Sequence, residues 1–258
     1  MATTFGRQAG GRQAGVQDAA GHAAGTVAGA ALGAVDLANG YAQRAAIDAA
    51  TFETIRQANG AFLVLVARRA GGAEALGMPR EVAARIATQD ATTRRFASEC
   101  PYTLFNVRFE DAAFWRGVAA TAVNAANATT AAGAAGAEPR SAPWAAGDEP
   151  RFVLTAVFLA WHLARHEDLS SALVLGMTPS VRDVWLGLPL QVLEALALAS
   201  LPHLRARWGA HPRFWPQLLD AAERPGLDHA DRVRLLGLQL LATDGCRTSL
   251  PHRARRPA

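Results

Sequence analysis

His162 and His166 stand one helical turn apart in WHLARHED, the i, i+4 spacing at which two imidazoles can share a zinc ion. No third or fourth ligand is placed near them in the chain, so the pair reads as a solvated helix face. Asp228, His229 and Asp231 contain the groups of an acid–base set. Yet no serine or cysteine sits in a nucleophile motif, and no glycine loop has phosphate-binding spacing. The sequence therefore reads as a non-enzyme, with no catalytic residues, cofactor, metal or small-molecule substrate. Arginine has the better chemical case. The chain contains no lysine, so all 26 basic residues are arginines, set against 22 acids for a net charge of +4. The tail 245–258 holds Arg247, Arg253, Arg255 and Arg256 and no acid, which leaves the remainder net neutral. Arg205 and Arg207 flank a short extended segment, and Arg232 and Arg234 lie in a C-terminal helix. Together with Arg253, Arg255 and Arg256 they are the candidate DNA contacts, because guanidinium groups pair with phosphates and guanine edges. The competing reading of the tail is a solubilising, disordered end.

The elements that must position these residues are helices. Half of the 258 residues are apolar but only 7% are aromatic, and alanine dominates, a composition that costs little side-chain entropy in a helix. Trp115, Trp161, Trp185, Trp208 and Trp215 read as core or interface anchors rather than as stacking platforms for bases. Two cysteines far apart, Cys100 and Cys246, exclude a disulfide-rich scaffold and a zinc ribbon and fit a reducing, cytoplasmic setting. The most apolar run, FVLTAVFLAWHLA at 152–164, is too short to span a bilayer and is closed by Arg165, so no membrane association is expected. Arg7 and Arg12 precede an alanine- and glycine-rich run that lacks the leucine-rich centre of a secretory signal, so export is not expected.

Composition divides the chain. Residues 1–44 are rich in Gly, Ala and Gln, repeat GRQAG twice, and read as disordered. Residues 124–150, with three prolines and three glycines, read as a linker. Between and after them lie two helical blocks, 45–123 and 151–244, followed by the basic tail 245–258. In the first block the spacing of Ile47, Thr51, Ile55, Phe62 and Val66 predicts a helix, interrupted by Gly60. Pro79 stands at a first helical turn, and Asp90 caps a short helix. YTLFNVRFE alternates and reads as extended. The second block repeats the order: a helix through LTAVFLAWHLARHED, a short helix ending at Gly176, and a helix capped by Thr178 with Pro179 first. A helix through LPLQVLEALALAS follows, then HLRARWG as the counterpart of TLFNVRFE, then a longer C-terminal helical part.

The repetition has a register. LGM occurs at 76–78 and at 175–177, VRFE at 107–110 is matched by ARWG at 206–209, and Phe114-Trp115 by Phe214-Trp215. From the leucine of LGM to the tryptophan of FW the spans are 40 and 41 residues. Three matches at nearly constant spacing imply a tandem duplication.

On these motifs the chain resembles the flagellar transcriptional regulator FlhD family. LVLVARRA (63–70), LGM and NVRFED (106–111) match in the first copy. In the second, VFLAWHLARHEDLSSALVLGM (157–177), LPLQVLEALA (188–197) and ARWG match, continuing into DHADRVRLLGLQLLA (228–242). The resemblance implies an all-α fold used as a dimer and partnership with an FlhC-like subunit in a DNA-binding activator complex. It also places Phe105, Val107, Phe109, Leu204 and Trp208 at the interface between two modules, each with one short extended segment. The chain departs from the pattern where the family's extended segment often carries a linking cysteine, since none stands near Phe105 or Leu204. The first copy also lacks about five residues before LGM and most of the C-terminal helical part.

Fusion through a linker of about 25 residues would hold the two modules at an effective concentration near the millimolar range, turning a dimer into an intramolecular pseudo-dimer. Freed from self-complementarity, the copies could diverge. The expected protein is thus an FlhD-like, cytoplasmic transcriptional regulator of flagellar or related secretion genes. The alternative is an adaptor or antagonist of the same fold that binds protein but not DNA.

Overall fold

Asp48 opens the first helix by accepting hydrogen bonds at Oδ1 from the amides of Ala50 and Thr51, both at 2.9 Å. From there the computed structural model describes residues 48–72, 75–131, 147–166, 168–224 and 227–249. The segment 1–44 and Arg253, Arg255 and Arg256 of the tail lie outside these residues, whereas residues 245–249 of the stretch read as tail belong to the last helix. The described chain is mostly helical, as its composition predicts. In order come α1 (Ala49–Arg69), α2 (Arg80–Thr88), α3 (Ala91–Ala97), β1 (Phe105–Asn106), α4 (Ala112–Ala131), α5 (Asp148–His166) and α6 (Asp168–Leu175). Then follow α7 (Pro179–Leu186), α8 (Leu193–Ser200), β2 (Arg205–Ala206), α9 (Phe214–Glu223) and α10 (Leu227–Ser249). Short 3₁₀ turns lie at Leu190–Val192 and Leu201–His203.

Local chemistry explains most boundaries. Asp90 Oδ1 accepts from the Thr93 amide at 2.7 Å, and Thr178 caps α7 with Pro179 in its first turn, both as the sequence predicts. Asp111 Oδ1 accepts from the Phe114 amide at 2.9 Å and so starts α4. Three expectations need correction. Helix α1 runs through Gly60 without a break, because one glycine costs a helix only about 1 kcal/mol and Phe62, Leu63 and Val66 beyond it are fully buried. Pro79 is the residue before α2 rather than part of it. Helix α4 continues to Ala131, eight residues into the stretch read as linker, since NAANATTA contains no glycine or proline to stop it.

The two blocks do not bury separate cores. One hydrophobic cluster draws on both, and its largest members include Trp115, Trp185, Trp215, Tyr102, Phe62 and Phe105. Helices α1 and α5 pack against each other, and Arg69 Nη2 donates to Glu149 across their ends at 2.6 Å. Helix α4 packs on α7 and α8, while α9 packs on α2 and α3. Each of these helices thus crosses from its own block to the other. The salt bridges of Arg85 with Asp220 at 2.6 Å and with Glu223 at 2.7 Å join α2 to α9 in the same sense. Helix α10 packs along α9 and covers Tyr102, whose hydroxyl donates to the Val233 carbonyl at 3.3 Å.

Candidate functional site

The extended segments shrink to two residues each, and they meet. β1 and β2 pair antiparallel with Phe105 opposite Ala206 and Asn106 opposite Arg205. Both segments turn sharply just beyond the pair, where Arg108 (φ 66°) and Trp208 (φ 51°) adopt left-handed backbone that side-chain-bearing residues seldom take. Both turns are clamped by the tryptophan of FW: Trp115 Nε1 donates to the Arg108 carbonyl at 2.8 Å, and Trp215 Nε1 to the Arg207 carbonyl at 2.9 Å. The repeated LGM tripeptides receive these segments. The Ala206 amide donates to the Leu76 carbonyl at 2.6 Å, and the Thr103 amide to the Val174 carbonyl at 2.9 Å.

Of the residues expected at an interface, Phe105, Val107, Phe109 and Leu204 are buried and Trp208 is half-buried. Their contacts run between blocks. The Phe105 ring lies 4.9 Å from Phe152 of α5, Phe109 lies 6.4 Å from Trp185 of α7, and Trp208 lies 5.5 Å from Tyr102. Burial in a shared core, rather than at a contact between two preformed modules, is what these positions have in common.

The candidate DNA-contacting arginines are not brought together as one face. Arg205 is exposed on β2, and Arg232 is exposed on α10. Arg234 is half-buried and paired with Glu99 and Asp231, each at 3.3 Å. Arg207 corrects the sequence reading: it is only 5% exposed, its Nη2 donates to the Leu175 carbonyl, and burial pushes its pKa down to about 10. A guanidinium so placed cannot reach a duplex backbone, and its aliphatic neighbours gave no sign of this in the sequence. Arg253, Arg255 and Arg256 lie outside the described residues.

Arg205 and Arg207 instead line a cleft of about 650 Å³ beside the strand pair, together with Arg108, His203, Glu110 and Asp244. Its apolar wall is formed by Trp208, Leu175 and Leu241. Glu110 accepts from Asn106 Nδ2 at 2.8 Å, and Asp244 from Trp208 Nε1 at 2.9 Å. Burial, reinforced by Arg108 and Arg205, lowers the His203 pKa below its ordinary value, so the ring is neutral at pH 7. Gly176 (φ 63°) makes room for the Arg207 guanidinium, since a Cβ there would stand 3.3 Å from Nη1 and 3.0 Å from Leu241 Cδ2.

Sequence reasoning missed His203 and Asp244, passed over Glu110 although it closes VRFE, and missed Asn59. Fully buried in α1, Asn59 donates to the carbonyls of Ser98 (3.2 Å) and Tyr102 (2.9 Å) and accepts from the Leu104 amide (2.8 Å), so it shapes the chain entering β1. Among the described residues no three His, Cys, Asp or Glu side chains group to hold a metal ion, and no single helix is long and apolar enough to cross a membrane. The His166 side chain lies outside the described set. No protein-family model, curated protein or solved structure matches the chain.

Proposed function

We propose that the chain is an FlhD-like transcriptional regulator in which two diverged copies are fused as an intramolecular pseudo-dimer. It would act in the cytoplasm with an FlhC-like partner on DNA, at genes for flagella or a related secretion system. The observation that carries the reading is the strand pair. In the register set by VRFE and ARWG, Asn106 and Arg205 are equivalent positions, and they stand directly opposite each other. Equivalent residues face one another only where a two-fold axis would pass. The crossing of α4 onto α7 and α8, answered by α9 on α2 and α3, supports the same relation.

The adaptor reading has its own supporting observation, since Arg207 and Arg234 are engaged inside the protein. Among the described candidates this leaves Arg205 and Arg232 exposed. DNA contact then depends on these two and on the tail. Co-purification from the native host identifies the partner, and gel-shift titrations with that partner present decide between the readings. Replacing Arg253, Arg255 and Arg256 with alanine should weaken binding to all sequences alike and flatten the slope of log affinity against log salt by up to ~2.7. Replacing Arg232 should change sequence preference if α10 enters a groove. Unaltered binding and slope in all these variants would select the adaptor.

A further inference from the structure

The cleft beside the strand pair contains a buried polar group with nothing to bind. Arg207 is 5% exposed, and while its Nη2 donates to the Leu175 carbonyl, its Nη1 is buried with no hydrogen-bond partner. Leaving a charged donor unmet in the interior is costly, and native structures seldom do so without a reason. The glycine of the second LGM is what allows the group to sit there, because any Cβ at Gly176 would crowd Nη1. Around it, Arg108 and Arg205 add two guanidinium groups, against the carboxylates of Glu110 and Asp244, so the lining carries one excess positive charge. Both carboxylates already accept hydrogen bonds, from Asn106 and Trp208. The volume of about 650 Å³ is that of a site for a small molecule rather than for a single ion. Its wall of Trp208, Leu175 and Leu241 offers a surface for an organic body.

We propose that this cleft binds a small organic anion, whose carboxylate or phosphate oxygens accept from Arg207 Nη1 while Arg205 and Arg108 close over its outer side. The site involves both repeats, since Arg108 and Glu110 come from the first and Arg205, Arg207 and Asp244 from the second. A bound anion would therefore tie α10 and the second LGM turn to the strand pair. This inference stands independently of whether the chain regulates transcription.

The test is calorimetric titration of the full chain with succinate and, separately, with phenyl phosphate, at constant ionic strength maintained with potassium chloride. Saturable binding of one probe identifies the anionic group as carboxylate or phosphate. Arg207→Gln should weaken it about tenfold or more, the loss expected for a charge-assisted hydrogen bond. Should that variant fail to fold, Arg205→Ala, at an exposed position, should weaken binding several-fold. Asp244→Asn, which keeps an oxygen for Trp208 Nε1 while removing a negative charge from the cleft, should tighten it. Absence of saturable binding by both probes would overturn the proposal, as would binding that Arg205→Ala and Asp244→Asn leave unchanged, which would mark adventitious attachment to other arginines.

Discussion

Gly209→Ala probes the docking of the second repeat onto the first at one atom. Gly209 closes the turn after β2, its amide donating to the Ala206 carbonyl at 3.2 Å. A Cβ added there would stand 3.0 Å from the Gly77 carbonyl carbon, well inside that distance of its oxygen, and 3.4 Å from Ala206 Cβ. The obstacle is the Gly77 backbone, so no rotamer change relieves it, and the cost falls at the upper end of overpacking, about 3 kcal/mol. For a domain of this size that corresponds to a fall in melting temperature of roughly 6–12 °C. Gly117→Ala is the control. Gly117 is exposed in α4, a Cβ there meets nothing within 4 Å, and alanine should stabilise the helix by up to about 1 kcal/mol. Its melting temperature should rise by roughly 2–4 °C. Differential scanning calorimetry measures both. A Gly209→Ala protein that melts with the wild type would refute the seating of the 206–209 turn on the first LGM, and with it one contact that joins the two blocks.

Asn59→Ala strips a partner from the Ser98, Cys100 and Tyr102 carbonyls and from the Leu104 amide, at about 1–3 kcal/mol for each group left unmet, so its melting temperature should fall by at least roughly 6 °C. Denaturant titration should show the same loss. The lowered His203 pKa means that the folded chain binds fewer protons than the unfolded chain over the interval between the two values, so stability rises with pH there. Stability should therefore be lost as pH drops below about 6.5 and continue to fall until the folded-state value is passed, and His203→Gln should remove this component of the acid dependence in urea titrations at stepped pH.

The helical class and the capping residues Asp90 and Thr178 were legible because each rests on composition or local chemistry. The linker's start was not, since composition rich in small residues describes an alanine helix as well as a loop, and α4 resolves the ambiguity by packing Trp115, Ala119 and Ala122 inward. The cleft was illegible for a different reason. Arg207 and Arg205 are two residues apart and chemically identical, yet one is buried and the other exposed: strand alternation would place both on one face, but β2 ends at Ala206, so Arg207 falls outside that alternation and only tertiary packing sets its direction. No count of arginines separates a guanidinium facing solvent from one seated under a glycine turn.

The two LGM words receive different neighbours. At the first, Gly77 lies beneath the Arg205 side chain and against the Gly209 turn, so the chain of the second repeat fills the space. At the second, Gly176 lies beneath the Arg207 guanidinium and Leu241 of α10, so a left-handed glycine at the equivalent place admits a charged group and a helix that the first block lacks. Both glycines have positive φ, which is why the word survives twice, while what rests on each has changed. Helix α10 deepens the asymmetry by reaching the first block: a Cβ at Gly237 would stand 2.8 Å from Tyr102 Cε1 and nearer still to its Cζ and hydroxyl oxygen, so only glycine leaves room for Tyr102 there. One copy of the C-terminal helix thus buries groups from both repeats. A second copy in the first repeat would have no matching tyrosine to cover, because Pro202 stands at the place that corresponds to Thr103 and Leu201 at that of Tyr102. Under the proposed duplication, a first copy without that helix would fit the division of roles that fusion permits.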